Sequence, residues 1–196
     1  MMTHPLDFHL PMPDWTAGHL ASLPAEMPNA EQRMALILDL ARLNFQHDTG
    51  GPFAAGVFEQ ASGKLIAVGV NRVVASTCSS AHAEIMALSL AQKRLGSYDL
   101  GGPGMPTHEL VVNWRPCAMC YGALIWSGVR QLTIAGSGPE LEELTGFDEG
   151  PVHPQWRDQL AERGITTLSD VLRPEAVELF RQFQRSARAV YNARQG

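Results

Sequence analysis

The sequence is poor in cysteine, in lysine and in long apolar runs, and each shortage excludes something. Cysteine occurs three times in 196 residues, too few for a disulfide scaffold and an odd number besides. Lysine occurs only at Lys64 and Lys93, and 15 basic residues face 20 acidic ones, a formal net charge of -5. A chain of that sign has no global attraction for a phosphate backbone, which disfavours nucleic acid as a partner. No stretch approaches the ~18 uninterrupted apolar residues of a membrane span. The first residues hold Asp7, Pro11, Pro13 and Asp14 where a secretory leader needs a basic start and an apolar run. The expectation is a cytoplasmic, reduced protein with no membrane partner.

What is present is an ordinary globular balance of 45% hydrophobic and 18% charged residues, which excludes a disordered chain, a collagen and a coiled coil. Residues 1–28 carry Pro5, Pro11, Pro13, Pro24 and Pro28 and read as an extended N-terminal arm. Residues 29–196 read as one domain that ends in a helical segment. Asn29 looks like the cap of a largely buried helix reaching His47. Phe53 to Glu59 and Leu65 to Asn71 read as a hairpin, joined at Ala61-Ser62-Gly63. A second helix follows from Ala81 to about Gly96, and Glu109 to Trp114 is a third strand. Pro116 opens a helix running to Gly128, and Gln131 to Ala135 is a fourth strand. Helical stretches at Pro139 to Leu144, Gln155 to Arg163 and about Pro174 to Ala189 complete the chain. The interleaving predicts an α/β fold with a sheet covered on both faces. Arg181, Arg185, Arg188 and Arg194 read as a solvated helix face.

Three residues stand out as metal ligands: His82, Cys117 and Cys120. The two cysteines lie three apart at a predicted helix start, so both sulfurs project on one side of its first turn. A helix N-terminus favours anions and lowers thiol pKa values. His82 opens its own helix. One imidazole and two thiolates suit zinc and leave the fourth tetrahedral position open, as in a catalytic site. Cys78 is expected to be a small buried residue and not a ligand. Glu84, two residues past His82, can exchange protons with a metal-bound water without ligating the metal. His82-Ala83-Glu84 followed by Pro116-Cys117-Ala118-Met119-Cys120 is the H-x-E…P-C-x-x-C pattern of zinc nucleobase deaminases.

From about residue 30 to 194 the chain resembles the cytidine-deaminase-like zinc family. Within it the likeness is greatest to the bacterial guanine deaminase branch, with members acting on guanine and ammeline. The stretches that carry it are Gly50-Gly51-Pro52-Phe53-Ala54-Ala55, Asn71-Arg72-Val73-Val74, Ala81-His82-Ala83-Glu84-Ile85 and Ile125-Trp126-Ser127-Gly128-Val129-Arg130. Gly146-Phe147-Asp148-Glu149-Gly150-Pro151 and Tyr191-Asn192-Ala193-Arg194 complete the set.

The resemblance implies a three-layer α/β/α fold with a mixed sheet of about five strands. It implies one zinc ion per chain, with a bound water or hydroxide as nucleophile, and a homodimer whose C-terminal segment closes its own or a neighbour's site. Glu84 matches the proton shuttle and Glu149 a second acidic shuttle. Asn71 matches an asparagine that bonds the base, and Phe53 an aromatic that packs on it. Asn113 and Tyr191 are further candidates for substrate contact, with a buried structural role as the equal alternative for Asn113, while Trp126 is expected in the core.

The expected reaction is hydrolytic deamination of a small aminated heteroaromatic base, guanine to xanthine first. An aminotriazine such as ammeline, or another aminopurine- or pteridine-type base, is the alternative. Less favoured are a tRNA adenosine deaminase and a zinc-stabilised domain without turnover. One departure bears on specificity. The family usually carries Glu before Pro-Cys, and here Arg115 stands there, preceded by Trp114. Pointing outward, Arg115 makes a surface contact; pointing inward, it can receive an anionic group, and guanine would then be the wrong substrate.

Overall fold

A computed structural model of the chain describes residues 7–193. Arg194 of the arginine face, and His4 and Pro5 of the arm, lie outside the described residues. Twelve elements follow in order: α1 (Trp15–Ala21), α2 (Ala30–Gln46), β1 (Ala54–Glu59), β2 (Leu65–Val70), α3 (Ala83–Leu95), β3 (His108–Val112), α4 (Ala118–Trp126), β4 (Gln131–Ile134), α5 (Glu140–Thr145), α6 (Trp156–Glu162), β5 (Thr166–Leu168) and α7 (Arg173–Arg185).

The five strands form one sheet in the order β2-β1-β3-β4-β5. β1 is antiparallel to β2 and β3, with Val57 opposite Leu110. β3 and β4 run parallel, as do β4 and β5, with Val111 opposite Thr133 and Thr133 opposite Leu168. The sheet is therefore mixed, as expected. All five β3 residues are buried, because both faces are covered and alternate side chains enter different cores. Val111 packs with Met34, Ile37 and Leu40 of α2 and with Phe180 and Phe183 of α7. Leu110 and Val112 pack with Ala87 and Leu88 of α3, Leu124 of α4 and Leu160 of α6. Two helical layers thus sandwich the sheet.

Asn29 caps α2 as expected, its Oδ1 accepting from Gln32 N at 2.8 Å. Two glycines allow the close approaches that set up the site. A Cβ on Gly69 of β2 would lie 2.2 Å from Ala83 O and 2.4 Å from Ala87 N, so only glycine lets the first turn of α3 sit on the strand. A Cβ on Gly50 would lie 1.9 Å from Asn71 O, which fixes the backbone after β2 beside the turn before β1.

The arm is not wholly extended. Residues 15–21 form α1, which docks on the C-terminal end of α2. Trp15 stacks on His47 with ring centroids 5.6 Å apart and donates its indole N–H to Thr49 Oγ1 at 3.1 Å. The last helix also differs from expectation. It stops at Arg185, and Ala187 adopts a left-handed φ of 51°, so the chain turns back over the body. There Arg188 pairs with Asp48, while Arg181 and Arg185 pair with Glu178 on the exposed face of α7.

Candidate active site

His82 and Cys117 each occupy the residue just before a helix, in extended conformation, and neither side chain caps its helix. That position ordinarily goes to Ser, Thr, Asp or Asn, which bond the free amides of the first turn. Here both side chains are released toward each other. The backbone holds them in place. Arg72 N donates to Ala81 O at 2.8 Å, tying the start of α3 to the end of β2. Arg115 N donates to Gly136 O at 2.9 Å, tying the start of α4 to the end of β4.

The donor atoms of His82, Cys117 and Cys120 lie within 4.8 Å of one another, and among the described residues they form the one such cluster able to hold a metal. His82 Nδ1 stands 3.5 Å from Cys117 Sγ. Tetrahedral zinc ligands at about 2.0–2.3 Å from the ion sit about 3.3–3.8 Å apart, so the set fits zinc after small closure. Hydrogen bonding from Cys120, which together with His82 outweighs burial, draws the Cys117 thiol down to about 4. The Cys120 thiol is pushed well above its ordinary value by that same hydrogen bond and by burial. Burial pulls the His82 imidazole down, yet its hydrogen bond to Cys117 and the surrounding negative charges outweigh this and raise it. One ligand is thus a ready thiolate. The other must surrender a proton when metal enters.

A cavity of about 470 Å³ opens over this cluster. Glu84, Glu149, Asn71, Phe53 and Tyr191 all line it, as do His82 and Cys117. Burial raises the Glu84 carboxyl, and the Cys117 thiolate adds to the effect. Burial likewise raises Glu149, to about 8, helped by the charges of Cys117 and Glu84. Both acids therefore hold protons more tightly than free carboxyls. Glu149 is half-buried between exposed neighbours, and its carbonyl accepts from Ala118 N at 3.1 Å, which ties its segment to the first residue of α4.

Asn71 is buried. Its Oδ1 accepts from Gly51 N at 3.4 Å and its Nδ2 donates to the Tyr191 hydroxyl. Tyr191 in turn packs edge-on against Phe147, at 5.2 Å between centroids, and Phe147 against Phe53 at 5.0 Å. The segment carrying Tyr191 is held by Asn192, whose Oδ1 accepts from Asp148 N and whose Nδ2 donates to Gly146 O. Tyr191, Asn192 and Ala193 thus line the cavity.

Three expectations are corrected. Asn113 is not a cavity wall. Its Oδ1 accepts from Ala54 N at 3.1 Å and its Nδ2 donates to Pro52 O at 3.0 Å, so it braces the backbone on either side of Phe53. Trp126 is not in the core: it is 86% exposed on α4. Cys78 is half-exposed and not buried, and its Sγ lies 3.1 Å from Ser80 Oγ. Sequence reasoning assigned no role to Phe147, which packs against both Phe53 and Tyr191; its place beside Glu149 in the quoted Gly146–Pro151 stretch was the available signal.

Trp114 and Arg115 both border the cavity but make different contacts. The Trp114 indole turns into the helical layer, 5.2 Å from Phe180 and under the Arg173 guanidinium, with its N–H donating to Gly138 O at 3.1 Å. Arg115 turns inward and lines the cavity, but its Nη2 pairs with Glu142 Oε1 at 3.3 Å.

A zinc-ligand triad at two helix starts, on the end of a mixed five-stranded sheet, defines a class. The family model for the cytidine and deoxycytidylate deaminase zinc-binding region matches residues 27–135, and the chain belongs to this family. Among individual proteins, guanine deaminase of Bacillus subtilis is 33% identical over 129 residues, covering 64% of this chain and 78% of that protein. A structure of guanine deaminase from Nitrosomonas europaea is 44% identical, covers 94% of this chain and 100% of that one, and superposes with a TM-score of 0.87. A structure of NE0047 in complex with 2,6-diaminopurine is 47% identical, covering 95% and 97% of the two chains, also at a TM-score of 0.87.

Proposed function

We propose that this chain is a zinc-dependent hydrolytic deaminase of a free heteroaromatic base, with guanine as substrate and xanthine and ammonia as products. The observation that carries this is the convergence of two carboxyls, Glu84 and Glu149, on the His82–Cys117–Cys120 cluster within one cavity. The likeness to guanine deaminases over nearly the whole chain supports the choice of base.

The reaction exchanges a carbon–nitrogen bond for a carbon–oxygen bond. One water proton ends on the ring nitrogen beside the reacting carbon, the other on the departing amine. His82, Cys117 and Cys120 would hold a zinc ion, which would supply a Lewis acid able to lower the pKa of a water toward ~7. Glu84 takes a proton from the attacking water and delivers it to the ring nitrogen. Glu149, which burial keeps protonated near neutrality, hands a proton to the leaving amine and recovers one from the water. Asn71 bonds the base edge by exchanging Tyr191 for substrate, and Phe53 packs on the ring. Tyr191 excludes water at the mouth.

The wall chemistry favours a free base over a nucleic acid. Among the described cavity residues Arg115 is the sole Lys or Arg, and it faces Glu142. The inward position of Arg115 therefore supplies no open anion site.

The catalytic domain is assigned to residues 29–196, with the arm packed on it through α1. A homodimer fits the exposed apolar face of α4, where Met119 is 39% and Trp126 86% exposed and Gly122 faces open space. Trp126→Gln is expected to shift sedimentation toward monomer with the fold kept; an unchanged mass would remove that face from the interface. A cytoplasmic setting suits two thiols that must stay reduced to ligate.

The test is ammonia release by the zinc-loaded protein from guanine, ammeline, guanosine, adenine, cytosine and cytidine. Guanine is expected to turn over. Glu84→Gln is expected to retain zinc and lose at least about 100-fold in kcat. Near-normal activity in that variant would refute the role given to Glu84, and silence on guanine would refute the substrate.

A further inference from the structure

Arg115 stands on the short link between β3 and α4, two residues before the ligand Cys117. Its backbone is fixed to Gly136 O, and its side chain, only 13% exposed, runs into the cavity wall. Nη2 pairs with Glu142 of α5, and Nε is buried without an acceptor. α5 ends at Thr145, and the chain then passes through Gly146, Phe147 and Asp148 to Glu149. The Glu149 carbonyl accepts from Ala118 N, one residue past Cys117, and its carboxylate is attracted by the Arg115 guanidinium. The segment bearing Glu149 is thus gripped twice by the start of the cysteine helix: directly at its carbonyl, and through α5 by Arg115.

We propose that Arg115 is a positioning residue for Glu149, clamping α5 and the segment that follows it against the ligand-bearing turn so that the carboxyl keeps a fixed place over the metal cluster. The inference rests on the deaminase reading for its kinetic consequence, but not for its structural one. Arg115 touches no reacting atom. Its guanidinium is engaged by the Glu142 carboxylate on α5. An anionic substrate would have to displace Glu142 to reach the guanidinium. Misplacement of a catalytic group by about 1 Å costs on the order of 100-fold in rate, so a loosened clamp is kinetically visible.

The experiment uses zinc-loaded full-length protein and the variants Arg115→Gln, Arg115→Lys, Glu142→Gln, Glu149→Gln and Arg115→Gln combined with Glu149→Gln. Zinc content, kcat and KM on guanine, and amide hydrogen exchange of residues 140–150 are measured. Arg115→Gln is expected to keep its zinc and lose about 10–100-fold in kcat with KM changed less than about 3-fold. Arg115→Lys should recover part of that loss, and Glu142→Gln should follow Arg115→Gln in direction. In the Glu149→Gln background the Arg115 change should cost less than about 3-fold more, because the group it positions is already gone. Exchange in residues 146–150 should accelerate in both Arg115→Gln and Glu142→Gln. Losses that multiply in the double variant, or a loss carried by KM, would make Arg115 a substrate contact and overturn the proposal. Unchanged exchange in both variants would overturn it as well, even if guanine proved to be the wrong substrate, since that readout needs no turnover.

Discussion

Replacing Arg33 by methionine tests the energetics of the sheet that carries the site. Arg33 of α2 places its Nε 2.8 Å from Glu109 Oε1, with side-chain exposures of 7% and 0%. The contact is an ion pair whose angle falls outside hydrogen-bond geometry. Glu109 Oε2 accepts from Gln131 Nε2 and Thr133 Oγ1, each at 2.9 Å, so Arg33 alone serves Oε1. Methionine fills similar space and removes the cation, leaving a buried carboxylate half-served. Breaking a buried pair in this way costs about 3–5 kcal/mol, a large part of a total of roughly 5–15. For a domain of this size that is a fall in Tm of roughly 6–20 °C.

The pH dependence has a definite sign. Burial raises the Glu109 pKa above 4.5 and Arg33 opposes the rise. A raised folded-state pKa means that folded protein holds the proton longer, so stability falls as pH climbs from the unfolded value through the folded one. Without Arg33 the folded value rises further. The penalty of Arg33→Met, read from urea unfolding against wild type at matched zinc, should therefore be larger at pH 8 than at pH 5.5. Adding Glu109→Gln should recover much of it at pH 8. Equal penalties at the two pH values, or a double variant no better than the single one, would refute this account. Turnover at 25 °C should change little, because Glu109 is the second residue of β3 and the site lies beyond the strand's other end.

Metal removal should abolish turnover yet leave far-ultraviolet circular dichroism intact, since backbone bonds to the ends of β2 and β4 hold the ligand turns without it. Unfolding on chelation would make the zinc structural. In the metal-free protein the Cys117 thiolate, with its pKa near 4, should absorb as thiolate at pH 7 and fade only as pH falls toward 4. Cys117→Ser should remove that absorbance, and Cys120→Ala should move its midpoint upward by deleting the leading hydrogen bond. A midpoint near 9 in the unmodified protein would contradict the geometry.

How much of this was legible beforehand depended on the distance over which each feature is decided. His82 and Glu84 share one helical turn, as do Cys117 and Cys120, so spacing alone brings each pair together. Asn29 is likewise decided within three residues of itself. By contrast, α1 owes its place to Trp15 meeting His47 and Thr49, partners distant in sequence, so the prolines dominated a local reading. β5 has only three residues, two of them Thr, and gains its identity from β4. Residues 186–189 have ordinary helix formers, yet the chain leaves the helix to place Arg188 on Asp48 and Tyr191 on Asn71. Trp126 looked like core because its neighbours are apolar, and local hydropathy does not distinguish a core from an exposed apolar face. Asn113 and Arg115 lie two residues apart in the link after β3. Only the fold shows that one braces backbone while the other enters the cavity.

The bond between Asn71 and Tyr191 joins residues 120 apart in the chain, whereas all three metal ligands precede residue 121. During synthesis the ion-binding half of the site therefore leaves the ribosome long before the tyrosine that walls it. The metal ligands and the tyrosine that walls them are thus made at separate times and meet only when the chain folds back on itself.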